Sequence, residues 1–253
     1  MPASSVKKTA NHRAVRAPRQ PKQRSAKEEV ANMIHGETVE ARKKRLQQIH
    51  RGLHKLYPDA KCELDFTNAY ELLVATILSA QCTDVRVNIV MKDLKQQYPN
   101  VKALAAAEPS DLENAIKTTG FFRQKAKSLL SMSSDVVQRF HGHIPKTMEE
   151  LTTLRGVGRK TANVVMGNAF GVAEGIAVDT HVTRLSGRLG ISDGEHAEAI
   201  EQDLMQLTPR SQWVEISHLL ILHGRRVCTA RKPKCSACAV AEYCPSRGMP
   251  GSV

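Results

Sequence analysis

From Thr38 to Leu56 the apolar residues Val39, Leu46, Ile49, Leu53 and Leu56 recur at helical intervals, and Lys43 can lay its alkyl stem along the same line. One apolar stripe on an otherwise charged segment predicts an amphipathic helix, stopped at Tyr57-Pro58-Asp59. Residues 67–80 are apolar almost all round, which predicts a central buried helix with Thr67 or Asn68 as its N-cap. Residues 83–98 return to one face, with Val87, Val90, Met91 and Leu94 inward. Pro109-Ser110-Asp111 opens a helix that buries Leu112, Ala115 and Ile116 and ends at Gly120, and residues 123–140 form the next. After a turn at 141–145, residues 146–154 predict a short helix, 155–158 a hairpin and 159–170 a second helix. A helix capped by Asp179 runs to about Gly190, and 194–207 and 211–225 give two more. About ten helices with short connections, no internal repeat and few β-branched alternating runs predict an all-α fold.

Composition sharpens this. The 253 residues are 41% hydrophobic but only 4% aromatic, enough for a folded core and unlike a β-sandwich. No apolar run is long enough to span a membrane, and no signal-peptide pattern opens the chain, so a membrane partner and export are not expected. Net charge is +12, and residues 1–27 carry Lys7, Lys8, Arg13, Arg16, Arg19, Lys22, Arg24 and Lys27 with no acid. The chain up to about residue 28 is expected to be a disordered basic tail. Such an arm concentrates a protein on a polyanion by counterion release, but the same composition suits a solubilising tail or a transit peptide. A cytoplasmic, nucleoid-associated protein of a bacterium, or a mitochondrial or nuclear one of a eukaryote, fits equally.

Leu154-Arg155-Gly156-Val157-Gly158 begins a helix. Two glycines one residue apart permit φ > 0 and close backbone approach, and the free N–H groups of the following turn favour an anion. Gly156, Val157, Gly158 and Arg159 thus form a docking point for one phosphate. A nucleotide P-loop is excluded, because the glycine spacing is wrong and Gly158 precedes Arg rather than Lys. An ordinary helix–helix turn uses the same glycines. Lys160 lies in the first turn, where the helix dipole disfavours positive charge and so favours the neutral amine that a nucleophile needs. Asp179, within Ala177-Val178-Asp179-Thr180-His181, is an N-cap that can also serve as an ionised carboxylate beside such a lysine.

Four of the six cysteines close the chain as Cys228-x6-Cys235-x2-Cys238-x5-Cys244. Four thiolates suit either tetrahedral zinc or an iron–sulfur cluster. Zinc ribbons usually show two separated C-x2-C pairs, so a single compact loop favours a [4Fe–4S] cluster. Arg231, Lys232 and Lys234 lie inside the first loop, where metal-driven folding would turn them toward phosphates. Cys62 and Cys82 read as buried thiols.

Leu154–Ala162 (LRGVGRKTA), Ala177–Val182 (AVDTHV) and the 6-2-5 cysteine spacing together resemble the endonuclease III family of bifunctional DNA glycosylases, as do Leu78-Ser79-Ala80-Gln81 and His223-Gly224-Arg225. The likeness runs from about Val39 to Cys244. It implies two α-helical domains with a DNA-binding cleft between them: a six-helix barrel with the helix–hairpin–helix over 62–172, and an iron–sulfur cluster domain from 29–61 and 173–253. It implies a monomer that binds double-stranded DNA containing oxidised pyrimidines or abasic sites. On that resemblance Lys160 would attack C1′ and form a Schiff base, Asp179 would assist, and β-elimination would cut the strand. Gln81 would fill the space left by an extruded nucleotide, and His181 would lie at the DNA-binding site. Arg155 stands where the family usually has proline, and Phe121-Phe122 where a leucine wedge is common. Phe121 is then a wedge, or both rings are core. An adenine-specific mismatch glycosylase shares hairpin and cluster but typically lacks both the lysine and the VDTH pattern. A non-enzymatic iron–sulfur DNA-binding redox sensor is the alternative of another class.

Overall fold

A computed structural model describes residues 26–249, and the expected basic tail lies outside them up to residue 25. The described residues form twelve α-helices and no strand. In order they are α1 (Ala26–Gly36), α2 (Val39–Leu56), α3 (Ala69–Leu78), α4 (Asp84–Gln97), α5 (Val101–Ala105) and α6 (Pro109–Ile116). There follow α7 (Phe122–Arg139), α8 (Met148–Thr152), α9 (Arg159–Ala169), α10 (Thr180–Arg188), α11 (Ala197–Leu207) and α12 (Trp213–Arg226). Side-chain caps fix half of the starts. Thr38, Asn68, Thr83, Asn100, Thr147 and Asp179 each accept a first-turn amide proton through the side chain.

Two elements depart from the expectation. α1 begins at Ala26, so the basic tail ends before residue 28. Val30 and Ile34, one turn apart, are buried in α1, and with Met33 they make a single turn of apolar stripe, too short for a period to show. α5 is five residues long, shorter than the window in which a helical period shows.

Two hydrophobic clusters organise the molecule. One gathers α3 to α9, from Leu64 to Met166, around Leu72, Leu73, Leu112, Leu129 and Val165. α3 lies at its centre: every residue from Glu71 to Leu78 is buried, as all-round apolarity requires. The second gathers α2, α10, α11 and α12 with Val240 of the cysteine loop, around Ile49, Leu53, Leu185, Ile216 and Leu219. α2 therefore packs with the C-terminal helices, not with its sequence neighbours.

α9 belongs to the first cluster but is tied firmly to the second. Glu201 of α11 is 4% exposed. It accepts from Arg159 Nε at 2.6 Å and Nη2 at 3.1 Å, from Asn163 Nδ2 at 2.8 Å and from the Ile176 amide at 3.2 Å. Further along α9, the Asn168 carboxamide oxygen lies 2.9 Å from His218 Nε2 of α12. On the other side of the cleft, Arg225 of α12 pairs with Asp84 at 2.8 Å and with Glu63. These polar ties hold the two clusters at one spacing.

Candidate active site and iron–sulfur loop

The hairpin turns at Gly156, whose φ is +82°. A Cβ there would also sit 2.9 Å from Ser128 Cβ on α7, so both conformation and close approach demand glycine. Gly158 behaves differently: its φ is −90°, and it caps α9 in an extended conformation. The expectation of φ > 0 thus holds at one glycine of the pair. Gly158 supplies no side-chain cap, and nothing lies within 4 Å of where its Cβ would be. The first amides of α9 therefore carry no side-chain cap, unlike those of the six helices capped by side chains. Val157 is buried beneath them, while Arg155 is exposed. Arg159, expected at a phosphate, has its guanidinium engaged by Glu201.

Lys160, exposed at the start of α9, and Asp179, the N-cap of α10, line one pocket between the two clusters, together with Thr76, Ser79, Asn163 and Ser217. Asp179 uses a single oxygen for capping: Oδ1 accepts from the His181 and Val182 amides, both at 2.8 Å. Oδ2 makes no hydrogen bond within the described chain, which leaves half the carboxylate for other work. Asn163, one turn along α9 from Lys160, has a buried Oδ1 without a partner. His181 is half-buried; burial lowers its pKa, opposed by Asp179. Its Nδ1 lies 3.1 Å from Arg184 Nη2.

Gln81 and Phe121 share an unusual backbone. Gln81 has φ +52° and Phe121 φ +47°, left-handed values that strain non-glycine residues and that collect at functional sites. Phe121 is 66% exposed, whereas Phe122 packs into the first cluster. The two rings thus divide the roles that the sequence left open between them: one core, one presented to solvent. Cys62 and Cys82 are half-buried free thiols packed against the first cluster.

All four C-terminal cysteines are free and half-buried, and they line one opening with Leu185, Leu189 and Val227. Burial, and then the other thiols nearby, push the Cys244 thiol up to about 11. Burial likewise raises the Cys238 thiol. Such thiols are held as thiolates by a strong positive charge, as a bound metal group supplies. Among the described residues no group of three or more ligand side chains could hold a lone metal ion. Two arginines of α10 clamp the loop. Arg184 donates to the Gly224 and Cys228 carbonyls at 3.0 and 3.1 Å. Arg188, 3% exposed, donates to the Thr229 and Ala230 carbonyls at 2.8 and 2.7 Å and lies 3.4 Å from Cys228 Sγ. Sequence reasoning missed both arginines, although their four-residue spacing puts them on one helix face. Arg231, Lys232 and Lys234 are exposed.

A helical fold with an uncapped hairpin, a lysine–aspartate pocket and a four-thiol loop defines a helix–hairpin–helix DNA repair protein with an iron–sulfur domain. Comparison with known proteins agrees. Residues 74–210 match the HhH-GPD superfamily of base excision DNA repair proteins, and 228–244 match the iron–sulfur binding domain of endonuclease III. Endonuclease III of Synechocystis is 51% identical over 206 residues, 81% of this chain and 94% of its own. The Escherichia coli enzyme is 39% identical over 204 residues, 79% of this chain and 94% of its own. A solved endonuclease III–DNA complex, a trapped covalent intermediate, superposes with a TM-score of 0.77 at 39% identity, covering 80% of this chain and 95% of that one. A non-covalent complex gives the same score and identity. The chain belongs to the endonuclease III family; it is a DNA-binding DNA glycosylase/AP lyase with a [4Fe–4S] cluster. Its cluster ligands fit Cys228, Cys235, Cys238 and Cys244, the only four cysteines that meet at one opening among the described residues.

Proposed function

We propose that this enzyme removes oxidised pyrimidines from duplex DNA, acting as a monomer, with Lys160 as nucleophile and Asp179 as its acid–base partner. The observation that carries the reading is the shared pocket of Lys160 and the uncommitted half of Asp179. Nζ of Lys160 attacks C1′ of the extruded nucleotide and the C1′–N bond breaks, with the electron pair leaving on the base. Asp179 takes the proton that the amine loses and returns it as the sugar ring opens to the Schiff base. Loss of a C2′ proton then breaks the C3′–O3′ bond, and water hydrolyses the imine to free the lysine. The amides at Gly158 and the exposed Arg231, Lys232 and Lys234 hold phosphates, His181 contacts DNA from the neighbouring opening beside Cys82 and Arg225, and Gln81 and Phe121 enter the duplex where the nucleotide has left. Cys228, Cys235, Cys238 and Cys244 would hold the cluster, whose positive core would offset their thiolate charge and so favour the folded cysteine loop.

The division into a barrel over 62–172 and a cluster domain from 29–61 and 173–253 follows the two hydrophobic clusters in outline. Nucleoid association follows from DNA affinity. Incision of a thymine-glycol duplex tests the function: wild type yields a strand ending in a 3′ unsaturated aldehyde. Lys160→Gln leaves the strand uncut, and cutting at the wild-type rate in that variant refutes the assignment.

A further inference from the structure

Lys125 is 5% exposed inside the first hydrophobic cluster, in the first turn of α7. Burying an ammonium group is costly, and a helix N-terminus adds to the cost. Burial pushes its pKa down, opposed by the nearby Cys82 thiol. Among the described residues no carboxylate is paired with it. Its Nζ donates instead to two carbonyls, Leu78 O and Thr119 O, both at 2.8 Å. Each carbonyl ends an element: Leu78 is the last residue of α3, and Thr119 closes the 3₁₀ turn 117–119. The ammonium therefore sits between two C-terminal ends, where the exposed carbonyl charge is negative.

Both carbonyls lead directly into strained turns. Gln81 comes three residues after Leu78, and Phe121 two residues after Thr119, and both hold left-handed φ values. The Lys125 amide also donates to Phe121 O at 3.1 Å. Packing alone does not call for a lysine here, since an apolar side chain of that volume avoids the desolvation cost. One side chain thus ties together the roots of two turns, through carbonyls 47 and 6 residues away from it in sequence.

We propose that Lys125 is a positioning residue that fixes the spacing of the Gln81 and Phe121 turns, so that both enter the duplex together when a damaged nucleotide is extruded. The inference rests on the reading of those two turns as DNA contacts. Lys125→Met keeps the volume and removes both bonds; Lys125→Gln can keep one.

The test is single-turnover excision from a thymine-glycol duplex, with 2-aminopurine opposite the lesion reporting unstacking, in a mutant cycle with Gln81→Ala/Phe121→Ala. Melting curves set a temperature at which every variant is folded. Lys125→Met is expected to lower the rate about tenfold or more, the scale of a small misplacement, and to flatten the 2-aminopurine signal. Lys125→Gln should fall between it and wild type. In the Gln81→Ala/Phe121→Ala background the same substitution should cost less than about twofold, because its effect runs through side chains already gone. An equal loss in both backgrounds, or full activity in Lys125→Met while Gln81→Ala/Phe121→Ala is impaired, overturns the inference alone. Full activity in Gln81→Ala/Phe121→Ala overturns the reading of the turns and the inference with it. If Lys125→Met fails to fold, Lys125→Gln carries the same cycle with the same two outcomes.

Discussion

Replacing Arg159 with methionine removes two of the four hydrogen bonds to Glu201 and leaves a carboxylate that is 4% exposed with only Asn163 and the Ile176 amide. Removing one partner of a buried pair costs about 3–5 kcal/mol. The Arg159 side chain is 45% exposed, so water partly replaces it and a lower figure, about 2–3 kcal/mol, applies here. For a chain of this size that lowers the melting temperature by roughly 5–10 °C. Because the pair joins α9 to α11, a loosened α9 also moves Lys160 relative to Asp179, and single-turnover excision should slow by about tenfold. Thermal melts and excision rates of Arg159→Met, Glu201→Gln and the double variant form the assay. The double variant should recover at least about 1 kcal/mol relative to additivity, since a neutral carboxamide no longer needs a cation. Strict additivity, or a loss below about 0.5 kcal/mol in Arg159→Met, refutes the view of this pair as the joint between the two clusters.

His218 is pushed down to about 4, first by burial, so the folded state disfavours its protonation. Its folded value lies below the unfolded value of about 6.5, so stability rises with pH between about 4 and 6.5 and is lost as pH falls through that window, by up to about 3 kcal/mol. Urea midpoints at pH 7 and 5 should show that loss in wild type and less of it in His218→Gln; identical slopes contradict it. Gly156→Ala meets both a positive φ and Ser128, so melting should report a loss of about 2 kcal/mol or more with weakened DNA affinity, and a neutral result contradicts the hairpin geometry. Deleting residues 1–25 should flatten the salt dependence of DNA binding with little change in single-turnover chemistry, and an unchanged slope excludes a DNA arm.

The helices that carry the chemistry were legible because their caps and faces obey local rules. Asn68, Thr83 and Thr147 cap where the pattern changes, and α3 is buried all round as its composition requires. The hairpin and the cysteine loop were legible because their spacing is chemical. Long-range partners were not. Nothing local distinguishes Glu201 from Glu198 and Asp203 on the same helix, yet it is the one that meets Arg159. Lys125 reads as a surface cation among Arg123, Gln124 and Lys127, and only the packing of α3 against α7 buries it. Arg184 and Arg188 share a visible face, but the loop they clamp lies some forty residues on. The sequence left Phe121 as a wedge or both rings as core; the left-handed turn at Phe121 exposes that ring and leaves Phe122 in the core.

The central claim is that Lys160 forms the covalent bond to DNA. Borohydride reduction during turnover on thymine-glycol DNA, followed by peptide mapping, tests it directly. The predicted result is a stable adduct on Lys160 that is absent in Lys160→Gln and slowed but on the same residue in Asp179→Asn. An adduct on any other residue, or undiminished trapping in Lys160→Gln, contradicts it.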